Sequence, residues 1–144
     1  MSNTVRHVGI VVNDLEETKE FWINYLGFKL HIEAVEQSPY IDDLIAIKEP
    51  NLTTVKLIDS KGFIVELLKF DTYQVDNSWS GDLKTTGLTH IALNVDNLEE
   101  LVGNLKKLKY QTLSGIKTSP DRRVKVVFVK GPEALMLELV ETLN

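Results

Sequence analysis

The chain reads as an α+β protein made of two tandem βαβββ modules, and three observations predict this. The segment Arg6-His7-Val8-Gly9-Ile10-Val11-Val12-Asn13-Asp14-Leu15-Glu16-Glu17 is echoed by Thr89-His90-Ile91-Ala92-Leu93-Asn94-Val95-Asp96-Asn97-Leu98-Glu99-Glu100, 83 positions later. Residues 55–69 are echoed by residues 127–141, 72 positions later. Between these echoes, hydrophobic periodicity passes from strand to helix and back to strand in the same order in both halves.

In the first half, residues 7–12 form a short run rich in β-branched side chains that stops at Asn13-Asp14, a strand signature. Asp14 is a natural helix N-cap, and Glu17 three residues on completes a capping-box-like start. From 15 to 25, apolar or aromatic residues recur at helical spacing (Leu15, Trp22, Tyr25 and Leu26, with Thr18 contributing weakly), and Gly27 stands at the C-cap. Residues 28–35 alternate as a strand. Two more strands, 53–58 and 63–70, are joined by the hairpin signal Asp59-Ser60-Lys61-Gly62. The second half repeats the order: strand 88–95, a helix capped by Asn97 and running to about 108, strand 110–114, a polar loop 117–121, then strands 123–129 and 134–140 joined through Gly131-Pro132-Glu133. Modules of about 4–70 and 87–142, joined by a linker 71–86, are expected to make one domain of residues 1–144.

Composition narrows the function. A 144-residue chain with 43% hydrophobic and 26% charged residues suits a globular domain with a real core. Its net charge of −5 and the absence of a long Lys/Arg run argue against a nucleic-acid partner. With no cysteine, disulfides, thiolate metal sites and a cysteine nucleophile are excluded. The polar start and the lack of any stretch near the ~20 apolar residues of a membrane span lead us to expect no membrane association and a cytoplasmic location.

Each half carries one His early and one Glu late: His7 and Glu66, His90 and Glu138. With a side-chain period of two, His7 shares a strand face with Gly9 and Val11, Glu66 with Ile64 and Leu68, His90 with Ala92 and Asn94, and Glu138 with Met136 and Val140. A carboxylate in a mainly apolar row is costly to bury unless paired or metal-bound. Singly, each of the four has a plain structural explanation. Their occurrence in two copies of one pattern is what points to a divalent-metal ligand set suited to Zn, Ni, Co, Mn or Fe. His31 has no such counterpart and reads as a surface or loop histidine. The His-to-Glu spacing is 59 residues in the first half (7 to 66) and 48 in the second (90 to 138). The extra 11 residues fall around 37–52, where 42–48 suggests a short helix; this loop could contact substrate or be a tolerated surface insertion.

The stretches Arg6–Leu15, Phe21-Trp22 through Leu26-Gly27-Phe28, Ile64-Val65-Glu66-Leu67-Leu68, Gly87-Leu88-Thr89-His90-Ile91-Ala92 and Leu137-Glu138-Leu139-Val140-Glu141 together resemble the vicinal oxygen chelate superfamily. That superfamily includes glyoxalase I, methylmalonyl-CoA epimerase, extradiol dioxygenases, and fosfomycin and bleomycin resistance proteins. The resemblance implies a cupped mixed sheet around a metal, helices on the outside, and ligands at His7, Glu66, His90 and Glu138. One departure is visible: Gly131-Pro132-Glu133-Ala134 stands where many members have an Asp-Pro-Asp-Gly turn.

Glu66 is the discriminating residue within the superfamily. A His/Glu/His/Glu set is similar to that of glyoxalase I and close to that of the epimerase, whereas extradiol dioxygenases are known for two His and one carboxylate. The resemblance therefore implies a metal-dependent lyase or isomerase moving a proton next to a carbonyl on a small oxygenated substrate, through a metal-stabilised enediolate or enolate, with Glu138 or Glu66 as base. The alternatives are an extradiol-type dioxygenase and a non-enzymatic drug- or metabolite-binding protein. Arg122, Arg123 and Lys125 form the densest basic cluster and could meet an anionic substrate, but read first as a solvated strand edge. Trp22 is expected in the core, and Tyr73 and Trp79 lie in the linker, where they could roof a pocket or an interface. The family habit of pairing modules leads us to expect a homodimer.

Overall fold

A computed structural model of the chain describes residues 1–73 and 82–144. It divides into two units, Met1–Asp76 and Asn77–Asn144, each with its own mixed sheet.

In the first unit β1 (Val8–Val11) is followed by α1 (Leu15–Glu20), β2 (Lys29–Val35), α2 (Tyr40–Ile45), β3 (Leu52–Ile58) and β4 (Ile64–Phe70), and the sheet order is β1-β4-β3-β2. β1 runs parallel to β4, whereas β4, β3 and β2 are antiparallel neighbours. Asp14 caps α1 as its sequence position indicates, its carboxylate accepting from the Glu17 N–H at 2.9 Å. The helix does not run evenly to 25: it passes into a π turn at Phe21–Tyr25, where the adjacent Phe21 and Trp22 are both fully buried. Gly27, at φ 76°, ends it. Phe21, Trp22 and Phe28 cover one face of the sheet with Val12, Val55, Leu57, Val65 and Leu67, and the Trp22 indole meets the Phe28 ring edge-on at 4.8 Å. Burying each such side chain stabilises the unit by about 1.5–3 kcal/mol before chain entropy is counted. The hairpin 59–62 forms as its residues indicate: Asp59 Oδ1 accepts from the backbone N–H of Lys61 and Phe63, both at 2.8 Å.

One expectation for this unit is narrowed and another changes. His31 is at the surface, as one of its two readings had it, and lies on a strand, at a bulge where the β2–β3 register shifts between Leu30 and Ile32. The short helix of the enlarged loop begins at Tyr40, not 42, and ends early because Ala46 turns left-handed at φ 56°. Asp42 ties this loop together. It accepts from the Ser38 hydroxyl at 2.5 Å and from the Glu49 N–H at 2.8 Å, and the Ser38 hydrogen bond chiefly holds its carboxyl below the usual range.

The second unit contains β5 (Ile91–Asn94), α3 (Leu98–Lys107), β6 (Gln111–Thr112), β7 (Lys117–Thr118), β8 (Val124–Lys130) and β9 (Met136–Thr142). Its sheet order is β5-β9-β8-β6, with β7 also on β8. β5 is parallel to β9, repeating the β1–β4 relation. Asn97 accepts from the Glu100 N–H at 3.1 Å and donates to the Glu100 carboxylate at 3.0 Å, a reciprocal cap. Leu98, Val102 and Leu105 pack the helix over Val127, Val129, Leu137 and Leu139. The polar segment 117–121 is only partly a loop, since Lys117 and Thr118 add a strand to β8; the strand expected over 110–114 shrinks to two residues. Among the described residues, no helix is long and apolar enough to cross a membrane.

Candidate metal centre

Parallel register places Gly9 beside Glu66, and antiparallel register places Lys56 on the other side of Glu66. Because His7 lies two residues before Gly9, its ring falls on the same face as Glu66, away from the helix-covered face. Its Nε2 stands 3.5 Å from Glu66 Oε1, while Lys56 Nζ stands 3.0 Å from Glu66 Oε2. Apart from Lys56 the surroundings are apolar: Ile64 and Leu68 flank Glu66 along β4, Val11 is exposed on β1, and Ile32 is exposed on β2 beyond Lys56. Gly9 leaves room there, for a Cβ at that position would meet the Leu68 side chain at 3.2 Å.

The second unit repeats the arrangement with one change. Ala92 and Phe128 are the register neighbours of Glu138. His90 Nε2 stands 3.2 Å from Glu138 Oε2, and the other ring nitrogen, Nδ1, is 2.9 Å from the Thr89 hydroxyl. The Phe128 ring packs edge-on against His90 at 5.2 Å. Glu141, three residues beyond Glu138, points to the helix-covered face and accepts from the Leu98 N–H at 2.8 Å. Its function is therefore to hold the start of α3.

These atoms suit a divalent ion. Ligands at about 2.0–2.2 Å from a tetrahedral ion stand about 3.3–3.5 Å from each other, close to the two His–Glu separations. Each imidazole aims Nε2 at its carboxylate, and for His90 the second nitrogen is held by Thr89 in the manner that orients a ligating ring. His7 Nδ1 is buried without a hydrogen-bond partner. The structure thus brings His7 to Glu66 and His90 to Glu138; among the described residues no group of three or more such side chains gathers closely enough to hold an ion.

The basic cluster is engaged locally. Lys125 Nζ lies 2.6 Å from the Glu99 carboxylate, which raises the lysine pKa and lowers that of the glutamate. Arg123 lies 3.8 Å from Asp121. Tyr73 is partly exposed and its hydroxyl donates to the Lys48 carbonyl, whereas Trp79 lies outside the described residues. Trp22 is in the core as expected, its indole N–H without a partner.

Lys56, Phe128 and Thr89 escaped the reading of the sequence. The hairpin at 59–62 carried the signal for Lys56, because pairing Ile58 with Ile64 forces Lys56 opposite Glu66.

In each unit the first strand lies parallel to the last at the sheet edge, with a His just before the first strand and a Glu on the last. The chain belongs to the glyoxalase/bleomycin resistance protein/dioxygenase superfamily, whose model matches residues 6–128. That superfamily includes glyoxalase I, fosfomycin resistance proteins and dioxygenases. The chain is 26% identical over 138 residues to the uncharacterised protein YwkD of Bacillus subtilis, covering 96% of each. Its fold is similar to that of a glyoxalase family protein from Bacillus cereus, with a TM-score of 0.89 at 18% identity over 97% of this chain and 94% of that one. It is also similar to the fosfomycin resistance protein FosX of Listeria monocytogenes in complex with Mn(II) and sulfate, with a TM-score of 0.64 at 13% identity over 99% and 95% of the two chains.

Proposed function

We propose that this chain is a metal-dependent lyase or isomerase of the glyoxalase type, acting by proton transfer next to a carbonyl on a small oxygenated substrate. The observation that carries this reading is the duplicated pair: in each unit a His Nε2 faces a Glu carboxylate, at 3.5 and 3.2 Å, on the sheet face that its helix leaves open. His7, Glu66, His90 and Glu138 would serve one ion, supplied by a single chain or by two copies in a homodimer. When bound, a divalent ion supplies Lewis-acid polarisation of a substrate carbonyl. Ions such as Zn, Ni, Co, Mn and Fe suit this nitrogen and oxygen donor set, and the Mn(II) of the FosX complex lends support.

Glu138 is the better candidate for the base. Its side chain is 27% exposed against 12% for Glu66, and its register neighbours are Ala92 and Phe128 where Glu66 has Lys56, so one oxygen can turn to a substrate C–H. Glu66, between His7 and Lys56, is held as a ligand. Ile64 and Leu68 flank Glu66 along β4, and its side chain is only 12% exposed. Two carboxylates also distinguish this set from a two-His, one-carboxylate dioxygenase site.

Two measurements test the reading. Protein purified without chelator should contain a divalent ion, and adding Zn, Ni, Co or Mn to stripped protein should raise its melting temperature. Glu138→Gln should retain metal while losing at least about 100-fold in turnover of a 2-oxo or 2-hydroxy carbonyl substrate; full activity in that variant overturns the assignment of the base. Absence of both metal and thermal stabilisation would favour a metabolite-binding protein instead.

A further inference from the structure

Lys56 and Phe128 occupy equivalent places in the two units, 72 positions apart, and each is the antiparallel register partner of its unit's candidate glutamate. The chemistry differs completely. In the first unit the two oxygens of one carboxylate are divided between two partners: Oε1 faces His7 Nε2 at 3.5 Å and Oε2 faces Lys56 Nζ at 3.0 Å. Both side chains are largely sheltered, with Glu66 12% and Lys56 23% exposed, so water competes weakly with their contact. In the second unit the corresponding residue is an aromatic ring packed edge-on against His90, which offers Glu138 no cation from that side.

We propose that Lys56 is a positioning residue for Glu66: its ammonium occupies Oε2, so that Glu66 presents only Oε1, beside His7 Nε2, to a metal ion. This inference rests on the reading of His7 and Glu66 as metal ligands. A carboxylate with both oxygens free can bind an ion through one or both of them. A two-oxygen mode would fill a coordination position that substrate needs. The lysine excludes that mode by charge-assisted hydrogen bonding, and its positive charge also weakens affinity for a second cation nearby. Phe128 imposes no such restriction on Glu138, so the duplicated pairs are unequal: one glutamate is held from two sides and the other from one.

The test compares wild type, Lys56→Met and Lys56→Arg, each stripped and then titrated with Co(II), with the dissociation constant and the visible absorption spectrum both recorded. Lys56→Met removes the charge while keeping most of the side-chain volume. It should bind Co(II) about tenfold more tightly, with a changed spectrum as the second carboxylate oxygen enters the coordination sphere. Lys56→Arg keeps a donor on Oε2 and should restore both wild-type values. A merely structural lysine predicts the opposite sign, since a loosened site binds metal more weakly. Unchanged or weaker affinity in Lys56→Met, or an unchanged spectrum, overturns the role of Lys56 while leaving the metal centre intact. A wild-type protein that takes up no Co(II) overturns the metal centre and this role together. If Lys56→Met fails to fold, Lys56→Leu, which also lacks a donor, takes its place: tighter Co(II) binding with a changed spectrum supports the role, and unchanged or weaker binding overturns it.

Discussion

At the residue scale, Glu133 and Ala134 show how a local departure from a family pattern is absorbed. Both adopt left-handed backbone, at φ 53° and 63°, in a short 3-10 turn that begins at Pro132. The turn closes through the Gly131 N–H, which donates to the Leu135 carbonyl at 2.7 Å, so β9 still starts on time and Glu138 keeps its register opposite Phe128. A Cβ in this region costs about 1–2 kcal/mol, partly offset by the greater freedom glycine gives the unfolded chain. Ala134→Gly should therefore stabilise the protein by about 0.5–1 kcal/mol, seen as a melting temperature about 2 °C higher. A lower melting temperature would show that the alanine methyl makes a compensating contact.

At the level of elements, α1 and α3 each cover one face of their unit's sheet and leave the other to the candidate ligands. α3 depends on its N-terminus more than its length suggests, because three groups converge there: the Asn97 side chain, the Glu100 side chain and the Glu141 carboxylate on the Leu98 N–H. Asn97→Ala removes the acceptor for the Glu100 N–H and should cost about 1 kcal/mol. Thermal or urea unfolding would measure this, and an unchanged midpoint would mean that Glu141 alone suffices. The caps, the hairpin at 59–62 and the helix stop at Gly27 were legible because each depends on residues within about four positions of one another. The π turn at Phe21–Tyr25 and the β2 bulge at His31 were not. Both arise where a helix or strand adjusts to pack against partners remote in sequence, and periodicity carries no trace of that adjustment.

For the whole molecule, the proposed four-ligand ion poses the question of whether one chain or two copies would supply its ligands. Mixing His7→Ala and His90→Ala variants under conditions that exchange subunits answers it. If two copies share each site, one intact set forms per mixed dimer, and about a quarter of wild-type metal binding should return on statistical mixing. If each chain builds its own site, mixing restores nothing. Size-exclusion chromatography with light scattering reports whether the protein is dimeric at all.

The sequence by itself determined the α+β class, the order of elements, most caps and turns, and the four candidate ligands with their faces. These follow from short-range rules and from a repeat that shows each rule twice. Only the tertiary structure decided what each ligand touches. Strand pairing brings residues ten positions apart into contact, and it was this that set Lys56 on Glu66 and Phe128 beside Glu138, where its ring also meets His90. Two copies of one pattern thereby become chemically unequal, because side chains carried by the neighbouring strand change the charge and packing around identical His–Glu pairs.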